Sequence, residues 1–128
     1  MGDSVPGSGE EAGGLREGPV KHVSETAESV VVELAGELDL YNAEELRSAL
    51  HDAAAREPAR LVIDLSGVEF IDSTALGVLV EARRRLANRR AFLLAGAGRD
   101  VRRTLEVSGL DRHFGVYDSV DAALVAKL

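Results

Sequence analysis

The sequence predicts an α/β fold, in which a mixed β-sheet of four to five strands has about four helices packed against it. From Val20 onward, short runs rich in β-branched residues alternate with segments of helical periodicity, a pattern typical of layered α/β domains. The chain has 128 residues, 45% of them apolar, which is enough for one compact hydrophobic core. We therefore expect a single domain.

The first elements are predicted to be a β-hairpin followed by a helix. Val20–Ser24 and Val30–Leu34 are two strands joined by a short connection, which favours antiparallel pairing. Asn42 is the predicted N-cap of the helix, with Glu45 three residues later as in a capping box. Pro58 prevents the helix from continuing. The predicted apolar stripe of this helix is Leu46, Ala49, Leu50, Ala53 and Ala54.

The middle of the chain predicts a buried strand that leads to a second helix. Leu61–Leu65 is almost uniformly apolar, as expected of a central strand covered on both faces. Ser66-Gly67 is predicted to be a turn, and a short loop then brings Asp72 and Ser73 to a helix start. The apolar residues of that helix are predicted to be Leu76, Leu79, Val80 and Leu86.

Arginines cluster toward the far end of this second helix, at Arg83 to Arg85, Arg89 and Arg90. They complement the negative end of the helix dipole. A solvated basic face is the favoured interpretation, and an anion-binding patch is the alternative.

The last third of the chain predicts two more strands and two more helices. Ala91–Ala95 and Phe114–Tyr117 are the strands. Asp100 is expected to cap a short helix that Gly109 ends, and Asp118 or Ser119 to cap the final helix. The inward-facing residues of the final helix are predicted to be Val120, Ala123, Leu124 and Leu128.

Residues 1–19 differ in composition from the rest of the chain. They hold six of the 13 glycines, two of the three prolines and four acidic residues against Arg16 alone. Such a segment has little apolar surface to bury, so we expect a disordered acidic tail at 1–19 and a domain at 20–128.

Charge and cysteine content exclude several functional classes. A formal charge of −7 disfavours non-specific attraction to nucleic acid or to an anionic membrane. The absence of cysteine excludes disulfides and thiolate metal sites. No apolar run approaches the roughly 20 residues that a transmembrane helix needs. We expect a soluble, cytoplasmic and monomeric protein whose partner is another protein or a small ligand.

Catalysis, metal binding and cofactor binding find little support in the motifs. Ser73 lacks the Gly-x-Ser-x-Gly elbow of a serine hydrolase, which argues against a small esterase. The histidines His22, His51 and His113 have no metal-site spacing. No P-loop motif is present. We therefore predict no catalytic residues, no metal and no cofactor.

Ser73 is the candidate for modification, because it follows a buried strand at the start of a helix. Backbone N–H groups in the first turn lack intrahelical acceptors, and the helix dipole makes that end favourable for an anion such as phosphate. From the residues alone, a plain N-cap without further function is the favoured interpretation of Asp72-Ser73, because Ser and Asp are preferred at N-caps. Spacing alone leaves both interpretations open.

Two stretches resemble the STAS domains of bacterial anti-sigma factor antagonists. Gly36-Glu-Leu-Asp39 is similar to the family's motif after the second strand, and Ile63 through Gly77 is similar to its phosphorylation loop. The similarity extends over roughly residues 20–126. Ala75 departs from the family pattern, in which glycine is frequent. The resemblance implies a STAS-like domain.

By this resemblance, the protein is an anti-sigma factor antagonist. Unphosphorylated, it would bind a kinase-type anti-sigma factor and release a sigma factor; phosphorylation of Ser73 by that serine kinase would end binding, and a serine phosphatase would restore it. The implied partner-binding residues are Asp39, Asp72, Ser73, Thr74, Leu76 and Gly77. The alternative is a STAS scaffold or ligand-sensing module in a signalling assembly that Ser73 phosphorylation does not control.

Overall fold

The computed structural model describes residues 18–128, which form five strands and four α-helices in the predicted order. Two 3-10 turns, Arg89–Ala91 and Leu110–Arg112, precede β4 and β5. The strands are β1 (Val20–Glu25), β2 (Ser29–Leu38), β3 (Arg60–Ile71), β4 (Phe92–Ala95) and β5 (Gly115–Tyr117). The helices are α1 (Ala43–Ala55), α2 (Ser73–Arg85), α3 (Arg99–Val107) and α4 (Val120–Val125).

The five strands form one mixed sheet in the order β1-β2-β3-β4-β5. β1 pairs with β2 in antiparallel fashion, as the short connection predicts, and every other pair is parallel. Because parallel strands separated by helices end at one edge of the sheet, the carboxyl ends of β2 and β3 lie side by side. Leu38 is accordingly paired with Ile71.

Helices cover both faces of the sheet. Ile63 belongs to the larger core cluster with residues of α1, α2 and α3. Val62, the next residue along the strand, packs instead with Ala123 of α4. This alternation explains the uniform apolar run in β3, since successive side chains enter different cores. It confirms the predicted central strand.

The predicted turn at Ser66-Gly67 is wrong, because β3 continues through it to Ile71. Gly67 pairs with Ala35 of β2, next to a register irregularity. A Cβ on Gly67 would lie 3.1 Å from the carbonyl oxygen of Leu34. The glycine therefore permits a close approach between two strands at a bulge, which is a recognised role of strand glycine.

Three details at the ends of α3 and α4 differ from or refine the predictions. Gly98, and not Asp100, occupies the N-cap position of α3, and Asp100 lies in its first turn. Ser119 is the cap of α4, since its hydroxyl accepts a hydrogen bond from the backbone N–H of Ala122 at 3.1 Å. Leu128 follows the end of α4 and is exposed, so its predicted inward orientation is wrong.

Of the predicted acidic tail, residues 1–17 lie outside the part of the chain that the structure describes. Pro19 is buried, and its carbonyl oxygen accepts a hydrogen bond from the backbone N–H of Ala35 at 3.0 Å. Pro19, one residue before β1, is therefore packed against the domain and bonded to β2.

Candidate functional site

The candidate site lies where β2 and β3 end beside the start of α2. The backbone N–H of Asp72 donates to the carbonyl oxygen of Leu38 at 3.0 Å, which extends the pairing of the two strands to the helix start. The turn after β2 and the first turn of α2 are thus held next to each other. Ser73 is the first residue of α2.

Asp72 joins these two turns through both of its carboxylate oxygens. Oδ1 accepts a hydrogen bond from the backbone N–H of Ala75 at 3.0 Å and so caps α2. Oδ2 accepts one from the backbone N–H of Leu40 at 3.1 Å, in the turn after β2. The predicted N-cap is therefore also a tertiary tether between residues 32 positions apart in sequence.

Asn42 organises the turn between β2 and α1. It occupies the N-cap position of α1 but makes no side-chain hydrogen bond to that helix, so the predicted capping box is wrong. Its Oδ1 accepts from the backbone N–H of Asp39 at 3.0 Å, and its Nδ2 donates to the carbonyl oxygen of Glu37 at 2.7 Å. The carboxylate of Asp39 accepts from the backbone N–H of Tyr41 at 3.0 Å. These local bonds replace the cap, as short polar side chains often do in turns.

The hydroxyls of Ser73 and Thr74 are exposed at the start of α2. Within residues 18–128, neither side chain makes a hydrogen bond, so Ser73 has no general base there to activate it. His51 lies instead with its Nε2 2.9 Å from a carboxylate oxygen of Glu81, between α1 and α2. This arrangement suits a surface hydroxyl available to another protein, and it gives no support to the esterase alternative.

The other predicted partner-binding residues differ in their accessibility. Asp39 is half-buried at the turn, and Gly77 is exposed, with open space where a Cβ would stand. Leu76 is only 8% exposed and belongs to the large core, so its side chain offers little surface for contact. The structure therefore brings all six residues to one end of α2, but Leu76 mainly supports the packing.

Sequence reasoning missed three exposed apolar residues at this end of the sheet. Leu40 and Tyr41, in the turn that Asp72 tethers, are 62% and 82% exposed. Phe70, three residues before Ser73, is 51% exposed. Apolar residues next to a strand are normally assigned to the core, and only the structure shows that these point outward. Leu40 and Tyr41, adjacent and exposed in one turn, are therefore candidates for contact with another protein.

The two segments that build the site are strongly acidic. Residues 36–46 and 61–82 contain eight Asp and Glu and no Lys or Arg, and two of these carboxylates, Glu44 and Glu81, are paired with Arg47. A phosphate on Ser73 would therefore find no cation in these segments to neutralise it. Asp72 would lie next to it and would oppose it further.

Substitutions at Asp72 should separate its two hydrogen bonds. We expect Asp72→Ala to lower the free energy of unfolding by roughly 1–2 kcal/mol, because it removes the cap of α2 and the tether to Leu40. Asp72→Asn keeps one carboxamide oxygen as acceptor, so we expect a smaller loss of about 0.5–1 kcal/mol. Urea unfolding followed by circular dichroism measures both. Equal stability of Asp72→Ala and the wild type would show that neither bond contributes.

A family model described as the STAS domain matches residues 19–123. The chain belongs to the STAS domain family. The match covers every strand and all but the last two residues of α4, so the family assignment rests on the whole fold and not on a single motif. The resemblance inferred from the motifs around Asp39 and Ser73 is confirmed.

Two relatives of this STAS domain are named anti-sigma factor antagonists. The anti-sigma-F factor antagonist RsfB of Mycobacterium tuberculosis is 34% identical over 94 residues, which cover 73% of this chain and 77% of RsfB. An anti-sigma-B factor antagonist of Listeria monocytogenes is 40% identical over 78 residues, covering 60% and 68% of the two chains. These matches identify the chain as a member of the STAS family of anti-sigma factor antagonists.

The crystal structure of an anti-sigma factor antagonist from Mycobacterium paratuberculosis is similar to this STAS domain, with a TM-score of 0.75 and 35% identity. The similarity covers 80% of this chain and 88% of the other. The α/β class and the mixed five-stranded sheet are therefore those of the family. Membership makes the chain a regulatory binding protein and not an enzyme.

Membrane insertion through a helix finds no support in the part of the STAS domain that is described. Among residues 18–128, no helix has both the length and the apolar character needed to cross a bilayer.

Proposed function

We propose that this STAS protein is an anti-sigma factor antagonist controlled by phosphorylation of Ser73. In the unphosphorylated form it binds a kinase-type anti-sigma factor and thereby releases a sigma factor. The partner phosphorylates Ser73 with ATP, and a serine phosphatase reverses the modification. The observation that carries the proposal is an exposed, unbonded hydroxyl at the first position of α2, within the motif similar to the family's phosphorylation loop. Such a protein acts in the cytoplasm, where sigma factors meet RNA polymerase.

The docking surface that we propose combines Ser73 with its exposed apolar neighbours. Leu40 and Tyr41 provide apolar area in a turn fixed by Asp72 and Asn42. A preformed turn loses little conformational entropy on binding, which favours affinity. In this proposal, Asp39, Thr74 and Gly77 also contact the anti-sigma factor.

The start of α2 tolerates a phosphate in the free protein. The backbone N–H groups of Ser73 and Thr74 have no intrahelical acceptor, because they precede the first hydrogen-bonded turn. Their interaction with an anion is worth about 0.3–1 kcal/mol and is partly opposed by Asp72. The fold should therefore change little on phosphorylation, and the effect should fall on the complex.

The experiment that tests this proposal is phosphorylation by the anti-sigma kinase from the same organism. Incubation with ATP should add one phosphate to the wild type, measured by intact-mass spectrometry, and none to Ser73→Ala. Ser24→Ala and Ser66→Ala are matched controls, since both remove an exposed hydroxyl outside the proposed docking surface and both should still be phosphorylated. A phosphate on Ser73→Ala, or none on the wild type, would contradict the proposal. A stable complex that ignores the modification would instead support the scaffold alternative.

A further inference from the structure

The charge of this domain is distributed unevenly along α2. The helix begins among the acidic segments described above, and its far end leads into residues 83–90, which contain five arginines in eight residues. Arginines in the last turn complement the helix dipole, which accounts for Arg83 to Arg85. Arg89 and Arg90 lie beyond the helix, so the dipole does not account for them.

Three of these arginines line one cleft: Arg83, which is half-buried, and Arg84 and Arg89, which are exposed. We call it the arginine cleft; its volume is about 280 Å³, and its lining includes Val80, Arg83, Arg84, Arg89, Leu110 and Phe114. A second cleft of about 250 Å³ adjoins it and shares Arg83, Arg89, His113 and Phe114. Ligand pockets of proteins typically measure roughly 300–1,000 Å³, so the two adjoining clefts together reach that range. Arg85 lines neither cleft and is exposed, as expected for a solvated basic face.

The guanidinium groups of the arginine cleft have no anionic partner among residues 18–128. Arg83, Arg84 and Arg89 form no ion pair or side-chain hydrogen bond there, whereas Arg47, Arg56 and Arg102 are each paired with a carboxylate. The Nε atom of Arg83 is buried without a hydrogen-bond partner in the described part of the chain. Three cations that line one cleft without a counter-charge repel one another, and an anion bound in the cleft relieves that repulsion.

The cleft also has a well-defined apolar wall. The guanidinium carbon of Arg83 lies 5.9 Å from the ring centroid of Phe114. Phe114 is only 4% exposed, and its ring packs against that of Phe92 with a distance of 5.6 Å between the centroids. Val80 and Leu110 lie on the same wall and are partly buried against the core. The wall is therefore rigid, and it offers contact to an apolar or aromatic group next to the cations.

We propose that the arginine cleft binds a small organic phosphate. The phosphate oxygens accept hydrogen bonds from Arg83, Arg84 and Arg89, since guanidinium groups match phosphate geometry with paired donors. The organic part of the ligand lies against Val80, Leu110 and Phe114. Arg83 is ten residues from Ser73, or about 15 Å along α2, so this site is separate from the proposed switch.

Calorimetric titration of the full chain at low ionic strength tests the proposal, with phenyl phosphate as the probe. We expect saturable binding of phenyl phosphate, inorganic phosphate weaker by roughly tenfold because it lacks the ring, and no binding of phenol. Arg83→Gln combined with Arg89→Gln should weaken phenyl phosphate binding by at least about tenfold, since two charge-assisted contacts are lost. Arg85→Gln is the matched control on the same helix and should bind within about twofold of the wild type.

Further measurements with the same probe can contradict the proposal, and one of them tests whether the arginine cleft is independent of the phosphorylation of Ser73. Arg89 is exposed, so Arg89→Gln alone repeats the test without disturbing the packing of Phe114. Unchanged affinity of both arginine variants overturns the proposal. If inorganic phosphate binds as tightly as phenyl phosphate, the ligand has no organic part that contacts the cleft, and the proposal is wrong. If a hexaglutamate peptide binds more tightly than phenyl phosphate, the cleft binds an acidic peptide instead. Ser73→Ala should bind phenyl phosphate like the wild type, so failure here leaves the proposed function untouched.

Discussion

Phosphorylation of Ser73 should lower the affinity for the anti-sigma factor by roughly 100- to 1000-fold. The modification adds about −1.5 to −2 charges at neutral pH. The turns next to Ser73 already hold the carboxylates of Asp39 and Asp72. In a complex the phosphate loses its water, and an unpaired buried charge costs several kcal/mol. Since about 1.4 kcal/mol corresponds to tenfold in affinity, two to three such increments give the expected loss.

Biolayer interferometry with the immobilised partner measures this loss directly. The circular dichroism spectrum and melting temperature of the phosphorylated protein should closely resemble those of the unmodified one, because the first turn of α2 accommodates the anion. Ser24→Asp provides a control, since it adds negative charge at an exposed serine of β1 and should leave affinity nearly unchanged. Retained affinity after complete phosphorylation, or a large spectral change, would refute the mechanism.

The element order was predictable because its signals are local. Alternation between strand and helix periodicity is encoded within windows of 5 to 15 residues, and the apolar stripe of α1 follows from such a window. Leu46 and Leu50 are fully buried there, as predicted. The turn predicted at Ser66-Gly67 from local sequence is wrong, because Gly67 pairs with Ala35 and the strand continues. A dipeptide typical of turns cannot reveal a partner strand more than thirty residues away.

The candidate site shows the same division between local and long-range information. Asp72 was predictable as a cap because the acceptor and the N–H of Ala75 are three residues apart. Its second bond, to the N–H of Leu40, depends on β2 and β3 ending together. Tyr41 lies in the turn that this bond holds, outside the regular elements, so no periodicity in the sequence indicates its exposure.

Removal of the Tyr41 side chain should be the second large perturbation of partner binding. Tyrosine is a frequent hot spot at interfaces, and the loss of one typically costs about 2 kcal/mol or more, which is roughly a thirtyfold decrease in affinity. We expect this loss for Tyr41→Ala, measured by titration calorimetry with the anti-sigma factor. Folding stability should change little, because the residue is 82% exposed and the hydrogen bond from its backbone N–H to Asp39 persists.

Val125→Ala is the matched control for this substitution. Val125 lies at the end of α4 and is 80% exposed. The substitution therefore shortens a comparably accessible apolar side chain in another part of the domain. We expect its affinity to remain within about twofold of the wild type. Tyr41→Ala should still accept phosphate on Ser73 after prolonged incubation with the kinase, since the hydroxyl itself is unaltered. If Val125→Ala weakens the complex more than Tyr41→Ala does, the docking surface lies on α4 and the proposed surface around Ser73 is wrong.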